Sequence, residues 1–358
     1  MLPVGLLPAI SQAFRVSEST TGLLVSLYAL MVAVLSVPLT LATKRVPRKR
    51  LLVALMSCYA VSNLICALAP SFAVLAVGRA VGGATHALFF AVCIGYATRL
   101  VPPAQTGRAL ALAATGVSAG FILGVPLSTA LGNAVGWRVA FAVLVAATAA
   151  AGALIAAVLP DVRPQAEEHR PVSGRRGQMA IVIASNTLAY LGHNMLYTYV
   201  TVLLLRSGAP SAAVGPILLV FGAFGLIGVL AAGPRFDRRP RRSALVILAI
   251  AGAGIAGIGA GFPVLAAVIV AAAVWNGGFG PMPSMYQSAA VRARATSPEM
   301  AGAWINATCN VGIAGGAAIG GVVLEAAGIR DVAWLAVALV AAAVLIVIFA
   351  RRAFPTAP

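Results

Sequence analysis

Apolar stretches of about 20 residues recur along the whole chain, separated by short polar gaps. As a helix, ~20 apolar residues rise ~30 Å, the thickness of a bilayer's hydrocarbon core. The spacing predicts membrane-crossing helices over roughly 22–43, 51–69, 71–98, 107–132, 137–159, 179–205, 212–233, 243–261, 263–291, 299–326 and 331–350. Pro70-Ser71, Pro102-Pro103, Ser211 and Ser297-Pro298-Glu299 supply start and break signals at several edges. Five complete spans precede the one long polar gap, 160–178, and six follow it. Residues 1–10 are apolar but cover only ~15 Å as helix. The chain is therefore expected to begin inside its first helix, with in-frame codons upstream of Met1 completing it. The fold class predicted is an all-α membrane protein.

Composition fits this pattern: 61% of the residues are hydrophobic and 9% charged. The net charge of +17 would suit nucleic-acid binding, but its distribution points elsewhere. Twenty of the 25 Lys and Arg fall in alternate gaps, from the run Lys44–Arg50 to Arg351 and Arg352. The opposite gaps hold only Arg15, Arg138, Arg206 and Arg330. This asymmetry follows the positive-inside rule, so the rich gaps, the linker and the C-terminus are expected on the cytoplasmic side of the cell membrane. Cys58, Cys66, Cys93 and Cys309 lie inside apolar spans without metal-ligand spacing. The N-terminus has no basic region or cleavage site of a secretory signal.

The halves repeat. Arg45-Val46-Pro47-Arg48-Lys49-Arg50 resembles Arg238-Arg239-Pro240-Arg241-Arg242-Ser243 at an offset of 193 positions. Gly120 and Gly124 fall on Gly312 and Gly316 at an offset of 192. Two matches at nearly one offset indicate a duplicated bundle of six spans, a plan used by transporters. The division expected is an N-terminal bundle over 1–160, a cytoplasmic linker over 161–178 and a C-terminal bundle over 179–358.

Polar residues inside spans are the functional candidates. Arg79 lies ~12 Å into its span, too deep to snorkel easily. Two readings fit it: a structural arginine bonded to helix carbonyls, or a cavity charge that binds substrate or modulates a proton site. His86 follows seven residues later on nearly the same face, with Gly82 and Gly83 beside it. His193 sits mid-span with Asn194 and Tyr197. Each histidine fits a satisfied core residue, or a cavity group whose unperturbed pKa of ~6.5 suits proton coupling. Asn306 and Asn310 share a face and fit either cavity lining or helix–helix hydrogen bonds. Tyr28, Trp275, Phe279 and Gln287 are further cavity candidates, with packing as the alternative. Gly116, Gly120 and Gly124 form one small-residue stripe and Gly312, Gly316 and Gly320 another, a spacing that lets helices approach closely. No Asp or Glu sits clearly in the membrane core. Gly116-Val117-Ser118-Ala119-Gly120 and Gly252-Ala253-Gly254-Ile255-Ala256-Gly257 match a nucleophile elbow and a dinucleotide fingerprint. Both patterns need a strand-turn-helix, and both lie inside apolar spans. Nothing calls for an enzyme, a cofactor or a metal.

These residues resemble the major facilitator superfamily, and within it the twelve-helix drug:proton antiporters of the sugar-efflux, arabinose-efflux-like and chloramphenicol-resistance branch. Leu2-Pro3-Val4-Gly5-Leu6-Leu7-Pro8 is similar to the end of that branch's first helix. Arg79-Ala80-Val81-Gly82-Gly83 with His86-Ala87-Leu88-Phe89-Phe90 resembles its fourth-helix motif. Gly116, Gly120 and Gly124-Val125-Pro126-Leu127 resemble the antiporter motif, and Gly136-Trp137-Arg138 the turn after it. His193 with Thr198-Tyr199-Val200 is similar to helix seven, and Asn306 with Asn310-Val311-Gly312-Ile313-Ala314 to helix eleven. The resemblance implies two six-helix bundles related by pseudo-two-fold symmetry. It implies export of a small molecule by proton antiport, a monomer, and a conformational motif at Gly120, Gly124, Pro126, Arg45, Asp237 and Arg238. The chain departs from it in two places. Pro38 and Thr43 stand near the Gly and Asp usual before the first basic run, and the glutamate usual ahead of the stretch matching Leu2–Pro8 is absent. A facilitator or importer of the same fold, or a non-transporting membrane protein, are the alternatives.

Overall fold

A computed structural model describes residues 2–43, 46–97, 100, 106–160, 176–236, 239–296 and 298–354. Among these residues there is no strand. The helices are α1 (Leu2–Phe14), α2 (Glu18–Ala42), α3 (Arg48–Leu68), α4 (Phe72–Ala97), α5 (Thr106–Val135), α6 (Trp137–Val158) and α7 (Arg176–Tyr197). They continue as α8 (Val200–Arg206), α9 (Ser211–Phe236), α10 (Pro240–Gly261), α11 (Leu265–Phe279), α12 (Met282–Arg292), α13 (Pro298–Ala326) and α14 (Ile329–Phe349).

Nine spans among the described residues are long and apolar enough to cross a membrane, one of them running through α11 and α12. The pair α7 and α8, bent by 41°, makes a tenth. Nine to ten of the eleven expected spans are thus found among the described residues, and α5, with 30 residues, and α1, with 13, are further helices. The expected span 179–205 is bent at Thr198-Tyr199, while the expected span 263–291 is borne out as one span, Leu265–Arg292, with a turn at Gly280-Pro281. Pro281 has no N–H for the helix ladder. At the bend between α7 and α8 Tyr199 is pinned sideways, its hydroxyl donating to the Ala317 carbonyl of α13 at 2.8 Å.

Helix ends show why the chain turns where it does. Ser17 caps α2, its hydroxyl oxygen accepting from the Thr20 N–H at 3.0 Å, and Glu18 complements the helix dipole. Gly136 alone joins α5 to α6 at φ 98°, a left-handed conformation that a side chain would strain. Arg138 then ties three helices together: its guanidinium lies 4.2 Å over Trp137, faces Phe14, and donates to the Ala69 carbonyl at 3.0 Å.

The helices form two six-helix bundles, and contacts between them gather at the end where α2 starts and α8 stops. There Glu18 pairs with Arg206 at 2.9 Å, and Asn133 donates to the Ser211 carbonyl at 3.0 Å. Thr201 donates to the Val4 carbonyl of α1 at 3.0 Å. Tyr199, fully buried, fills the gap between Gly22 of α2 and Gly321 of α13, where a Cβ on either glycine would strike its hydroxyl. The short helix α1 is buried in this packing, with Val4, Leu6, Leu7 and Ile10 almost without exposure. Toward lipid the surface is apolar, as at Leu230 and Phe349.

In lipid the hydrophobic effect does not drive helices together, so close packing of small residues matters more. The two glycine stripes differ here. Gly312, Gly316 and Gly320 press α13 onto α7, where added Cβ atoms would fall 2.6–2.8 Å from the Thr187, Leu191 and Met195 carbonyls. Gly116, Gly120 and Gly124 have no atom within 4 Å of an added Cβ and are exposed. The expectation of close helix approach thus fails for the first stripe, which faces open space beside α5. Gly316→Val should cost about 1–3 kcal/mol through backbone displacement, while Gly120→Ala should cost nothing. Melting of the detergent-solubilised protein followed by size-exclusion fluorescence measures both.

Candidate substrate and proton sites

Polar side chains in these spans are mostly satisfied by their own helix. Thr85 donates to the Val81 carbonyl at 2.8 Å, Asn194 to Tyr190 at 2.9 Å, Asn276 to Ala272 at 2.8 Å and Asn310 to Asn306 at 2.9 Å. Five buried side-chain atoms among the described residues have no hydrogen-bond partner: Arg79 Nε, Asn186 Oδ1, His193 Nδ1, Thr198 Oγ1 and Trp275 Nε1. Without bulk water, each such group costs roughly 1–3 kcal/mol. Four of them mark two sites; the fifth, Asn186, donates its amide to the Ile305 carbonyl and Thr308 of α13.

In the first bundle, α4 carries Arg79 against α2 and α3. Its guanidinium carbon lies 4.1 Å over the centre of the Tyr28 ring. The Tyr28 ring also touches His86, with centroids 5.7 Å apart. The His86 Nδ1 lies 2.7 Å from the Tyr59 hydroxyl of α3. Gly82 and Gly83 permit this approach, since a Cβ on either would meet Ser62 or the Tyr28 backbone. Arg79, His86 and Tyr28 are thus brought together. Tyr59 escaped the sequence reading because an exposed tyrosine edge and a buried partner look alike in an apolar span.

In the second bundle, the aromatic candidates of α7 and α11 converge. The His193 ring stacks on Phe279, with centroids 3.3 Å apart and planes 7° apart. Its other neighbour is Tyr197, at 5.0 Å and 21°. Trp275 approaches the same imidazole at 4.9 Å, and Tyr190, which the sequence reading passed over, meets the Phe279 ring at 5.4 Å edge-on. Trp275 and His193 are buried, while Tyr197 and Phe279 are half-buried. Faces of this kind attract cations by about 2 kcal/mol at best, less than the several kcal/mol of hydration that a cation without a counter-ion loses.

The remaining candidates stand apart. Asn194 and Asn310 are buried and turned onto their own helices, and Asn306 supplies the carbonyl that Asn310 uses. Gln287 of α12 packs against Gly302 of α13 rather than joining the aromatic cluster. Pro126 is buried inside α5 without breaking it. Gly120 and Gly124 face open space, as above. Arg45, Asp237 and Arg238 lie outside the described residues.

The sequence profile of the Major Facilitator Superfamily matches residues 1–297. The chain belongs to the major facilitator superfamily. It is 35% identical over 346 residues to a chloramphenicol efflux pump of Mycobacterium tuberculosis, covering 91% of this chain and 82% of that protein. It is 27% identical over 351 residues to a probable sugar efflux transporter of Mannheimia succiniciproducens, covering 96% and 88%. In fold it is similar to a bacterial homologue of the human lysosomal transporter Spinster, solved in an inward-facing, unoccupied conformation. That match has a TM-score of 0.72 at 16% identity and covers 99% of this chain and 93% of the other. This facilitator-family protein is a multi-pass membrane transporter of a small molecule.

Tyr28 holds the membrane-embedded Arg79 by its ring face, an interaction worth about 2 kcal/mol when desolvated. Tyr28→Phe should therefore keep most of the protein's thermal stability, and Tyr28→Leu should lose more. The melting midpoints of the two variants in one detergent test the order.

Proposed function

We propose that this protein exports a small molecule from the cytoplasm by proton antiport, through a cavity between a bundle over 1–160 and a bundle over 179–358. The observation that carries the reading is the pairing of Arg79 with Tyr28, Tyr59 and His86 deep in the membrane. A buried cation and an imidazole sharing one aromatic ring make a site where proton binding alters the charge felt by both. The efflux named for the two relatives supports the direction of transport. His193 in the second bundle is the other proton candidate. The protein works in the cell membrane as a monomer, with the linker over 161–178 and the C-terminus in the cytoplasm. On that orientation, the end sealed by Tyr199 and the Glu18–Arg206 pair faces outward, and the cavity opens to the cytoplasm. Gly120 and Gly124, which face open space, suit a helix surface that other groups slide past.

A facilitator without proton coupling is favoured by one feature. All eight acids, Glu18, Asp161, Glu167, Glu168, Asp237, Glu299, Glu325 and Asp331, fall at helix ends or in gaps. Flux in vesicles separates the readings. Antiport requires substrate movement to rise as the opposite side is acidified and to collapse with an uncoupler. A facilitator ignores both treatments.

Arg79→Ala should abolish this flux while the protein stays in the membrane at near-normal amounts. Full flux in that variant would remove Arg79 from the mechanism, and loss from the membrane would make it structural. His86→Gln or His193→Gln should flatten the dependence of export on pH, and Tyr59→Phe should alter it as His86→Gln does. Identical profiles in all three would leave the histidines without a role. Cysteines introduced into the linker or after Arg351 should resist labelling by an impermeant maleimide applied to intact cells.

A further inference from the structure

We propose that the end of the second bundle where α10 begins and α12 and α14 stop binds an anionic phospholipid, its phosphate on Arg242, Arg351 and Arg352 and its acyl chains on the apolar surface of α10 and α14. The site is assembled by a hook after α14. The Ala353 and Phe354 N–H groups both donate to the Ala350 carbonyl at 3.1 Å, which turns the chain back on itself. Phe354, 2% exposed, joins the apolar core of the second bundle. With Ala353 it walls a small cleft against Pro240 of α10 and Met285 and Ala289 of α12. Arg241 completes the fastening. Its guanidinium donates to the Val347 carbonyl at 3.3 Å and to the Ile348 carbonyl, both in the last turn of α14, where carbonyls lack helical partners.

Arg241 is thus spent on the fold, while the hook brings Arg351 and Arg352 to the start of α10, beside Arg239 and Arg242. All four of these side chains are exposed. The positive-inside rule asks only that such charges lie somewhere in the gap; a buried phenylalanine fixes them at one place. Apolar surface adjoins them. Arg242, Val246 and Ile250 follow one stripe of α10 at a spacing of four, and all three are exposed. On α14 the exposed Leu345 and the 78% exposed Phe349 lead up to Arg351.

A phosphate diester with two acyl chains matches both parts. Guanidinium groups take phosphate oxygens in pairs, and basic clusters next to a membrane-crossing helix attract anionic headgroups. An acidic peptide or a nucleic acid would leave the apolar stripes unused. Little in the chain itself competes. Among the described residues Glu18, Glu325 and Asp331 lie at the opposite end, and Glu299 in the first turn of α13 is the acid at this one. The linker over 161–178 holds four Arg against three acids, so it brings no net counter-charge.

The test is native mass spectrometry of the full chain, stripped of lipid in a mild detergent and titrated with phosphatidylglycerol or phosphatidylcholine of the same acyl chains. The first phosphatidylglycerol should bind about tenfold more tightly than the first phosphatidylcholine. Replacing Arg242, Arg351 and Arg352 together by Gln should abolish that preference. Phe354→Ala, which changes no charge but releases the hook, should reduce it about threefold or more. Replacing Arg48, Lys49 and Arg50 of the first bundle together by Gln removes as many charges and should leave it unchanged. Equal binding of the two lipids overturns the proposal, as does a parent-like preference in the triple variant of the second bundle. An equal loss in the first-bundle variant also overturns it, because net charge alone would then explain the preference. Displacement of the lipid by an equal concentration of inorganic phosphate would make this a free-anion site and sink the lipid assignment. If Phe354→Ala does not fold, the two triple variants, confined to charged side chains at helix ends, decide alone.

Discussion

Everything in this protein follows from the cost of an unmet polar group where there is no water. Backbone amides must close their own hydrogen bonds, so the chain is a set of helices among its described residues. Serine, threonine and asparagine side chains obey the same demand by donating one turn back, as Ser36 does to the Val32 carbonyl and Asn276 to Ala272. Against that background the few exceptions stand out. Arg79 Nε and the His193–Trp275 pair are held out of water without full satisfaction, and the structure places them on opposite bundles.

The bundles meet through small residues and backbone carbonyls as well as apolar side chains, Val4, Leu7, Val25, Ala29 and Val125 of the first joining the core of the second. Tyr199 sits between Gly22 and Gly321 and donates to the Ala317 carbonyl, while Ser26 donates to the Ala314 carbonyl at 2.9 Å. Such contacts are short-ranged and individually modest, worth about 0.6 kcal/mol each on average in membranes. Within the second bundle, α13 also approaches the backbone of α7 closely. There three glycines in register hold the helices together.

The sites show how residue type and residue placement separate. Tyr28, Arg79 and His86 share a cluster because seven residues bring Arg79 and His86 to one face of α4, and Tyr28 of α2 packs onto that face. His193, Tyr197, Trp275 and Phe279 come from two helices more than 75 positions apart, and no periodicity within either helix announces their stack. Asn194 and Asn310 looked equivalent to them as intramembrane polar residues, yet both are spent on their own helices.

The sequence by itself determined the approximate limits of most spans, because bilayer thickness fixes the length of apolar helix required. It determined the duplicated plan through repeated basic runs and glycines. It also singled out Arg79, His86 and His193, because an ionisable residue mid-span is rare enough to signal a role. Only the tertiary structure decided that the span of α7 and α8 bends beside the aromatic cluster, that the α13 glycines hold a neighbour while the α5 glycines face space, and that Tyr59 and Tyr190 belong to the candidate sites. Each of these depends on which helix stands opposite. Along an apolar chain lipid and a neighbouring helix are equally acceptable surroundings for a small or aromatic residue, so the pattern of residues carries no mark of which one it meets.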